Sequence, residues 1–167
     1  MFIHYAKVRQ VKDPVRAHDF DAGIDFFVPN GDDAFYYENG NRAAKKQLIE
    51  IALCPNESAL IPSGIKMEIA PGFVAIFRNK SFVASEKHIV CGADIIDSFY
   101  DGEIHIDVHN IGNNVEVIRK GMKIIQMLIV PVVHVKLECV DEKELYDEYN
   151  LEDAIRGVGG FGSTGTK

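Results

Sequence analysis

The chain has 167 residues and is 47% hydrophobic, which suffices for one substantial core but would leave two separate domains marginal. Its 25 acidic and 18 basic residues give a formal net charge of −7, which argues against broad electrostatic binding of DNA or of an anionic membrane. We therefore expect a single domain with no nucleic-acid or membrane partner. A polyanionic ligand would need cations that are placed locally.

The amino terminus lacks the basic segment and apolar stretch of a secretory signal. The longest apolar run, residues 124–133, falls far short of the ~20 residues needed to cross a bilayer. Cys54, Cys91 and Cys139 are odd in number and widely spaced, so we expect buried free thiols rather than disulfides or a zinc site. These features predict a cytoplasmic protein.

Apolar and polar residues alternate in several segments, which indicates half-buried β-strands. Short turn sequences separate these segments, and many short strands at close spacing favour an all-β antiparallel barrel or sandwich. The alternation is found in residues 2–8, 48–53, 65–69 and 103–109.

Two short segments are predicted as helices: residues 81–87, which follow the capping-type Ser81, and residues 141–149. Residues 30–46 are polar and turn-rich with three aromatic side chains, and we expect a surface excursion between two strands. This excursion is the candidate surface for a protein partner.

Residues 156–165, RGVGGFGSTG, fit the glycine spacing of a dinucleotide-binding turn. That turn needs a following helix, and only five residues follow the last glycine of the pattern, so this interpretation fails. A Walker A loop fails as well, because no lysine stands between a glycine and a serine or threonine. Two interpretations stay open. The segment is a disordered tail, or its amides, Arg156, Ser163 and Thr164 wrap phosphate oxygens while Phe161 stacks on a base.

Residues 92–110, GADIIDSFYDGEIHIDVHN, hold a second candidate site. Asp101-Gly102 before a strictly alternating strand predicts a hairpin, with Asp97 and Tyr100 near its turn. Asp97 is either a turn-capping carboxylate or a catalytic one.

The alternating strand that ends this segment carries His105, Asp107 and His109 on one face. Imidazole and carboxylate groups brought together in this way could form a metal site. The alternative is the solvated polar face of an edge strand, which needs no ligand.

Two further polar clusters precede residues 92–110 in the chain. Ser81 follows Lys80 at the start of a predicted helix, where it either contacts a phosphate or serves as an ordinary N-cap. Asp21 and Asp25 stand four residues apart across Gly23, either as a ligand site or as a loop that enters a strand.

Each of these signals is weak alone, but their order along the chain is informative. In that order they resemble the five motifs of the homotrimeric dUTP pyrophosphatases (dUTPases), and the last motif is the most specific. The motifs are residues 21–26, Lys80-Ser81 leading to Ala84, residues 95–103, residues 121–126 and residues 156–165.

The resemblance implies a distorted antiparallel β-barrel or jelly roll with one short helix, formed by residues 1–155. Residues 156–167 would form a flexible C-terminal arm that closes over the active site. The implied assembly is a homotrimer with shared active sites. The implied reaction is Mg²⁺-dependent hydrolysis of dUTP to dUMP and pyrophosphate, which lowers dUTP and supplies dUMP for dTMP synthesis.

The resemblance also implies a role for each matching residue. Asp97 would position and activate the attacking water, and Asp25 would reach Mg²⁺ through water. Tyr100 would lie under the deoxyribose and Phe161 would cap the uracil. The other implied substrate ligands, mainly of the phosphates, are Lys80, Ser81, Gln126, Arg156, Gly162, Ser163 and Thr164.

Uracil would be read by backbone groups around Gly92 and His105, since backbone donors and acceptors distinguish uracil from the reversed pattern of cytosine. A tyrosine packed under the sugar would leave no room for a 2′-hydroxyl. Both expectations concern the hairpin motif.

Four positions depart from the family pattern: Lys80 stands for an arginine, Phe82 for a glycine, Phe99 for an acid and Asp101 for a basic residue or glutamine. Two alternatives remain beside the dUTPase hypothesis. A dCTP deaminase of the same fold would require a glutamate base where this chain has Asp97, and would lack the complete arm. A non-catalytic nucleotide-sensing regulator would bind a protein partner through residues 30–46.

Overall fold

The computed structural model describes residues 2–146. Over this range the chain forms thirteen strands and one short helix. The strands are β1 (Tyr5–Lys7), β2 (Ile24–Phe27), β3 (Phe35–Glu38), β4 (Lys45–Gln47), β5 (Glu50–Leu53), β6 (Ser58–Pro62), β7 (Ile65–Met67), β8 (Phe73–Asn79), β9 (Ile89–Cys91), β10 (Ile95–Ile96), β11 (His105–Asn110), β12 (Glu116–Arg119) and β13 (Lys123–Pro131), and the helix is α1 (Ser81–Ser85).

The chain divides into two units, Met1–Val133 and His134–Lys167. The first contains every strand named above, and of the second the structure describes residues 134–146. The predicted boundary between residues 155 and 156 lies outside the described residues. None of the helices formed by residues 2–146 is long and apolar enough to span a membrane.

All strand pairs are antiparallel, and they form four sheets. The sheets have the strand orders β10-β8-β13-β2, β4-β3-β6-β11-β9, β1-β7 and β12-β5. Consecutive strands often belong to different sheets, as in a jelly roll, and the pairing of the described strands does not close into a barrel. The predicted all-β class is confirmed.

The core lies between the sheets, and the alternation of β11 shows how the sequence fills it. Ile106 and Val108 are buried, whereas His105, Asp107 and His109 are half-buried on the opposite face. This confirms the period-two prediction for residues 103–109. Phe26 and Phe77 meet edge to face at a centroid distance of 5.1 Å, which joins β2 to β8 over β13 on the buried face of their sheet.

Residues 30–46, predicted as a surface excursion, instead contribute a hairpin to the five-stranded sheet. β3 pairs with both β4 and β6, and Asn39 and Gly40 make the turn with positive φ. Tyr36 is buried, while all three residues of β4 are exposed. The hairpin is therefore anchored on one side by core packing and open to solvent on the other.

The predicted hairpin turn at Asp101-Gly102 is corrected as well. β11 pairs with β6 and β9, whereas β10 pairs with β8 in the other sheet. The chain between Gly92 and Ile104 is thus a long connection, and its strand β10 pairs with a second sheet. β11 is an interior strand and not the predicted edge strand.

The helix predictions hold in part. α1 is a single turn, shorter than residues 81–87, and Ser81 is its first helical residue rather than its cap. Lys80 occupies the N-cap position with extended backbone. Residues 141–146 form turns rather than a helix, with Asp141 Oδ1 accepting from the Lys143 amide, and residues 147–149 lie outside the described range.

The three cysteines are free, as predicted, but Cys54 and Cys139 are exposed rather than buried. Only Cys91 is half-buried, and burial, together with the charges of Asp94 and Asp107, raises the pKa of its thiol to about 12. The Cys91 thiolate is therefore scarcely populated at neutral pH.

Candidate active site

A polar cleft opens where β2, β13 and β8 lie side by side, and it brings three of the predicted site residues together: Asp25, Lys80 and Gln126. Its volume is about 530 Å³, enough for a nucleotide-sized ligand. The lining residues are Ala17, Asp21, Ala22, Gly23, Asp25, Arg78, Lys80, Gln126 and Leu128.

Strand register explains why Gln126 lies in this cleft. On β13, Gln126 stands opposite Asp25 of β2 on one side and opposite Arg78 of β8 on the other. Its Nε2 donates to the Asn79 carbonyl at 2.8 Å, which fixes the amide. A Cβ at Gly23 would overlap the Gln126 side chain, so the glycine of the AGID sequence is needed for this close approach.

Asp25 is the electrostatic centre of the cleft. It is 3% exposed, and its two carboxylate oxygens face two ammonium groups: Lys80 Nζ at Oδ1 and Lys123 Nζ at 2.8 Å from Oδ2. Burial raises the pKa of Asp25, but the hydrogen bonds and charges of Lys123 and Lys80 outweigh burial and leave the pKa below its ordinary value. The cluster therefore carries a net positive charge at neutral pH, which suits a polyanionic ligand.

Replacing Asp25 with Asn is expected to destabilise the fold by about 1.5–3 kcal/mol at pH 7, because it leaves two partly exposed ammonium groups without their shared counter-charge. A carboxylate whose folded pKa is depressed contributes stability above its unfolded pKa, and that stability is lost as the pH falls through its folded pKa. The difference between wild type and Asp25→Asn should therefore shrink as the pH falls below about 4. Urea unfolding at fixed protein concentration measures it.

The matched control for this prediction is Asp13→Asn. Asp13 also pairs with a lysine, Lys7, at 3.0 Å, but on the surface with its side chain 59% exposed. Removing its charge should change the unfolding midpoint little. Equal effects of the two substitutions would contradict the special role of Asp25.

Ser81 directly follows the cleft residue Lys80 in the sequence, but it does not line the cleft. Its side chain is exposed, and within residues 2–146 no hydrogen bond to its hydroxyl is formed. The prediction that Ser81 caps the helix is wrong, so the hydroxyl is available to a ligand.

Asp97 and Tyr100 do not line this cleft. Ile96 stands opposite Ala75 of β8, so Asp97 follows at the level of Val74. Gln126 stands opposite Arg78, which is four residues farther along β8. Four residues of a strand span about 13 Å. Because β10 and β13 lie on opposite sides of β8, about 10 Å apart, Asp97 and Gln126 are separated by roughly 16 Å. Within one chain, Asp97 and Gln126 are too far apart to act on the same phosphorus atom.

Tyr100 lines a second cleft of about 520 Å³, formed mainly with β1 and the turn after β7. Its hydroxyl donates to the Glu103 carbonyl at 3.1 Å, and its ring folds back over Gly102, where a Cβ would overlap it. Asp97 is exposed, and its carbonyl accepts from the Tyr100 amide at 3.3 Å.

Gly92 and His105 stand at the two ends of the connection between β9 and β11 that contains Asp97. The Gly92 amide donates to the Asp107 carbonyl at 3.0 Å, the last hydrogen bond before β9 and β11 part. The His105 ring stacks on Tyr37 at 6.4 Å, and its Nδ1 lies 2.8 Å from the Glu103 carbonyl.

The metal hypothesis for His105, Asp107 and His109 gains no support. His109 Nε2 lies 3.3 Å from Asp107 Oδ2, while the same oxygen accepts from the Ala93 amide at 3.0 Å. Across the described part of the chain, no three His, Cys, Asp or Glu side chains are grouped to hold a metal ion.

Five predicted substrate ligands lie outside the described residues: Arg156, Phe161, Gly162, Ser163 and Thr164.

A sequence profile of the family dUTPase matches residues 46–165, well over half of the chain. The chain belongs to the dUTPase family. It is 41% identical over 120 residues to the deoxyuridine 5'-triphosphate nucleotidohydrolase of Hahella chejuensis, covering 70% of this chain and 74% of that one. Against the same enzyme of Bartonella bacilliformis it is 38% identical over 133 residues, with 75% of each chain covered.

Solved dUTPase structures share the fold. The Staphylococcus bacteriophage 80alpha dUTPase with dUPNHPP superposes with a TM-score of 0.74 at 25% identity, and the superposition covers 98% of each chain. The dUTPase of phage phi11 of S. aureus gives 0.68 at 22% identity, covering 85% of this chain and 97% of the other. The dUTPase match includes Lys80, Asp97 and residues 156–165, whereas Asp25 and most of the β3–β4 hairpin precede it.

Sequence reasoning missed the contact of Lys123 with Asp25 in this dUTPase. The residue lies inside the fourth motif, residues 121–126, but only Gln126 was singled out there. A register irregularity between Lys123 and Ile125 lets Lys123 stand opposite Phe27 while its ammonium group reaches Asp25. Period-two alternation does not reveal such a bulge, so no signal in the sequence identified the contact.

Proposed function

We propose that this protein hydrolyses dUTP to dUMP and pyrophosphate, which lowers dUTP and supplies dUMP for dTMP synthesis. The observation that carries the proposal is the dUTPase match over residues 46–165, which spans the motifs of Lys80, Asp97 and Arg156. The ammonium groups of Lys80 and Lys123 beside Asp25 support it, because a triphosphate needs locally placed cations in a chain of net charge −7.

In the proposed reaction a water oxygen attacks the α-phosphorus. The bond from that phosphorus to the oxygen bridging the β-phosphate breaks, and pyrophosphate leaves with the electron pair. Asp97 orients the water and accepts its proton, while Lys80, Gln126 and Ser81 hold the phosphate oxygens. Such phosphoryl transfer depends mainly on positioning and charge neutralisation.

The separation of roughly 16 Å between Asp97 and Gln126 supports a site shared between copies of the chain. In a homotrimer, Asp97 and Tyr100 of one subunit would face Asp25, Lys80 and Gln126 of another. A closed cyclic assembly gives three equivalent sites of this kind.

The residues of the polar cleft fit a magnesium ion that is held mainly by the substrate. Mg²⁺ keeps several waters and binds through one or two carboxylates plus phosphate oxygens. Because both oxygens of Asp25 already face ammonium groups, contact through a bound water suits this carboxylate better than a direct bond. When bound, the ion supplies neutralisation of the phosphate charge.

Base and sugar recognition are assigned to the connection between β9 and β11. Past Gly92 and before His105 the backbone leaves the β9–β11 ladder, and we assign the reading of uracil to those of its amides and carbonyls that bond neither to β8 nor to other described residues. Tyr100 presents its ring beside this segment and would lie under the deoxyribose. Phe161 and the phosphate ligands Arg156, Ser163 and Thr164 complete the proposal from the arm.

A nucleotide panel tests the function. Purified protein with Mg²⁺ is given dUTP, dCTP, dTTP or UTP, and pyrophosphate and ammonia are both measured. We expect pyrophosphate from dUTP and no ammonia from any nucleotide, with dCTP disfavoured by about 10⁴-fold if its base is rejected by hydrogen bonding. Ammonia from dCTP would support the deaminase alternative. Absence of turnover with every nucleotide would leave the non-catalytic regulator.

A protein partner for residues 30–46 is the second candidate function. Nearly all of this hairpin precedes the dUTPase match, and its outer strand β4 is exposed and carries two lysines. The phage phi11 dUTPase is described as having a species-specific insert, and the phage 80alpha enzyme as controlling transfer of virulence genes. An acidic partner surface would match Lys45 and Lys46.

A further inference from the structure

One half-buried ion pair joins the amino-terminal segment to the connection that carries Asp97 and Tyr100. Arg9 binds Glu103 through two parallel hydrogen bonds, Nε to Oε1 at 2.9 Å and Nη2 to Oε2 at 3.0 Å. The side chains are only 19% and 16% exposed. The Gly64 amide also donates to Glu103 Oε1 at 2.8 Å, so three donors fix this carboxylate.

The same residue holds Tyr100 through its backbone. The Glu103 carbonyl accepts the Tyr100 hydroxyl at 3.1 Å and lies 2.8 Å from His105 Nδ1. The orientation of the Tyr100 ring therefore depends on where Glu103 is fixed.

The rest of the connection is held by the Phe99 amide, which donates to the Ile69 carbonyl at 3.4 Å, and by the exposed Asp101, which pairs with Lys66 at 2.7 Å. Neither of these contacts engages the Tyr100 ring. Asp97, Phe99 and Tyr100 are exposed, and the structure places no strand between Ile96 and His105. Phe99 has a φ of 63°, which costs a side chain with a Cβ some backbone energy. A loop of this kind keeps one conformation only where a neighbour anchors it.

Arg9 is itself anchored by the β3–β4 region. Its Nη1 lies 3.4 Å from Asp33 Oδ2, and its guanidinium sits over the Phe35 ring at 4.6 Å. The hydrogen bond to Glu103 raises the pKa of Arg9, so the guanidinium stays charged. Arg9 thus has a fixed position from which to hold Glu103.

We propose that the Arg9–Glu103 ion pair is the positioning element that orients Tyr100 and so sets the preference for a 2′-deoxy sugar. This inference rests on the proposed function. Neither residue touches the substrate; they act through the Glu103 carbonyl and the Tyr100 ring. Excluding one hydroxyl by packing tolerates little displacement, and a shift of about 1 Å in a positioning group can cost 10²-fold in rate.

The test compares dUTP and UTP in wild type, Glu103→Gln and Arg9→Met. Gln keeps an oxygen for the Gly64 amide but loses the charged pair, and Met keeps an apolar chain over Phe35. We expect the ratio of kcat/KM for dUTP to that for UTP to fall about tenfold in both variants, mainly through KM for dUTP and a gain with UTP. An unchanged ratio in Glu103→Gln would overturn the inference.

The control variant is Glu50→Gln, which breaks the exposed Arg119–Glu50 pair (3.5 Å) on the β5–β12 sheet and should leave both substrates unaffected. Urea unfolding shows whether each variant is folded; if Arg9→Met is not, Glu103→Gln decides. Tyr100→Phe, alone and combined with Glu103→Gln, completes a cycle. Non-additive selectivity losses support the route through Tyr100, and additive losses overturn it. A wild type that does not turn over dUTP would instead refute the proposed function.

Discussion

Replacing Asp97 with Asn is expected to lower kcat for dUTP by about 10²–10⁴-fold, the range typical of losing a group that takes a proton in the transition state. The amide has nearly the same shape but cannot accept the proton of the attacking water. Within the described residues the Asp97 carboxylate forms no hydrogen bond or ion pair, and the side chain is exposed, so the substitution should leave the fold unchanged. Pyrophosphate release under saturating Mg²⁺ measures the loss.

Binding separates a catalytic role from a structural one. An imido analogue of dUTP that cannot be hydrolysed should bind Asp97→Asn about as tightly as wild type by calorimetry, since the α-phosphorus is held by other residues. Asp101→Asn is the matched control, because Asp101 lies in the same connection and pairs with Lys66 at 2.7 Å on the surface. If Asp101→Asn loses as much activity, or Asp97→Asn keeps wild-type turnover, the assignment of Asp97 is wrong.

Truncation after Ile155 is expected to leave a folded protein with kcat/KM for dUTP reduced by about 10³-fold. The buried hydrophobic core found in the described chain runs from Val11 to Met127, so the arm is not needed to build it. The predicted losses are charge-assisted hydrogen bonds from Arg156 and hydroxyl contacts to the phosphates, at about 1.5–3 kcal/mol for each bond to a charged group. Steady-state kinetics and urea unfolding on the same preparations separate the two effects.

A stop after Thr166 provides the control for the truncation. It removes only Lys167 and keeps every residue of the fifth motif, residues 156–165. Wild-type kinetics are expected. Unchanged turnover after the longer truncation would show instead that the arm plays no part in catalysis.

Mixing the two inactive chains tests how the site is shared. The Asp97→Asn chain keeps the arm, and the chain truncated after Ile155 keeps Asp97. If a site takes Asp97 and the arm from different subunits, mixed trimers regain activity, up to about a quarter of wild-type sites in a random equal mixture. If both come from the same subunit, the mixture stays inactive.

The class of fold could be predicted from local pattern because alternation reports which face of a strand is buried. Residues 103–109 alternate strictly, and β11 buries Ile106 and Val108 as expected. Alternation does not report the strand's neighbours. For that reason β11 was predicted as an edge strand but lies between β6 and β9, and residues 30–46 were predicted as a surface excursion but pair with β6.

The candidate site, like the fold, could be predicted from the sequence only in part. The order of the motifs that contain Asp25, Lys80, Asp97 and Gln126 resembles that of the family, and this resemblance predicts phosphate chemistry. The roles of Asp97, Ser81 and the arm stay predictions. No local pattern predicts that Lys123 shares Asp25 with Lys80, since that contact depends on a register irregularity in β13.

The sequence by itself therefore determined the all-β class, the family and the inventory of reactive groups, because alternation and motif order are local properties of the chain. Only the tertiary structure decided which of those groups meet. It placed Asp25, Lys80 and Gln126 in one cleft, put Asp97 at the far end of β8, and joined Arg9 to a carboxylate 94 residues away. Strand register and long-range ion pairs make those choices, and they depend on the packing of the whole core rather than on any one segment.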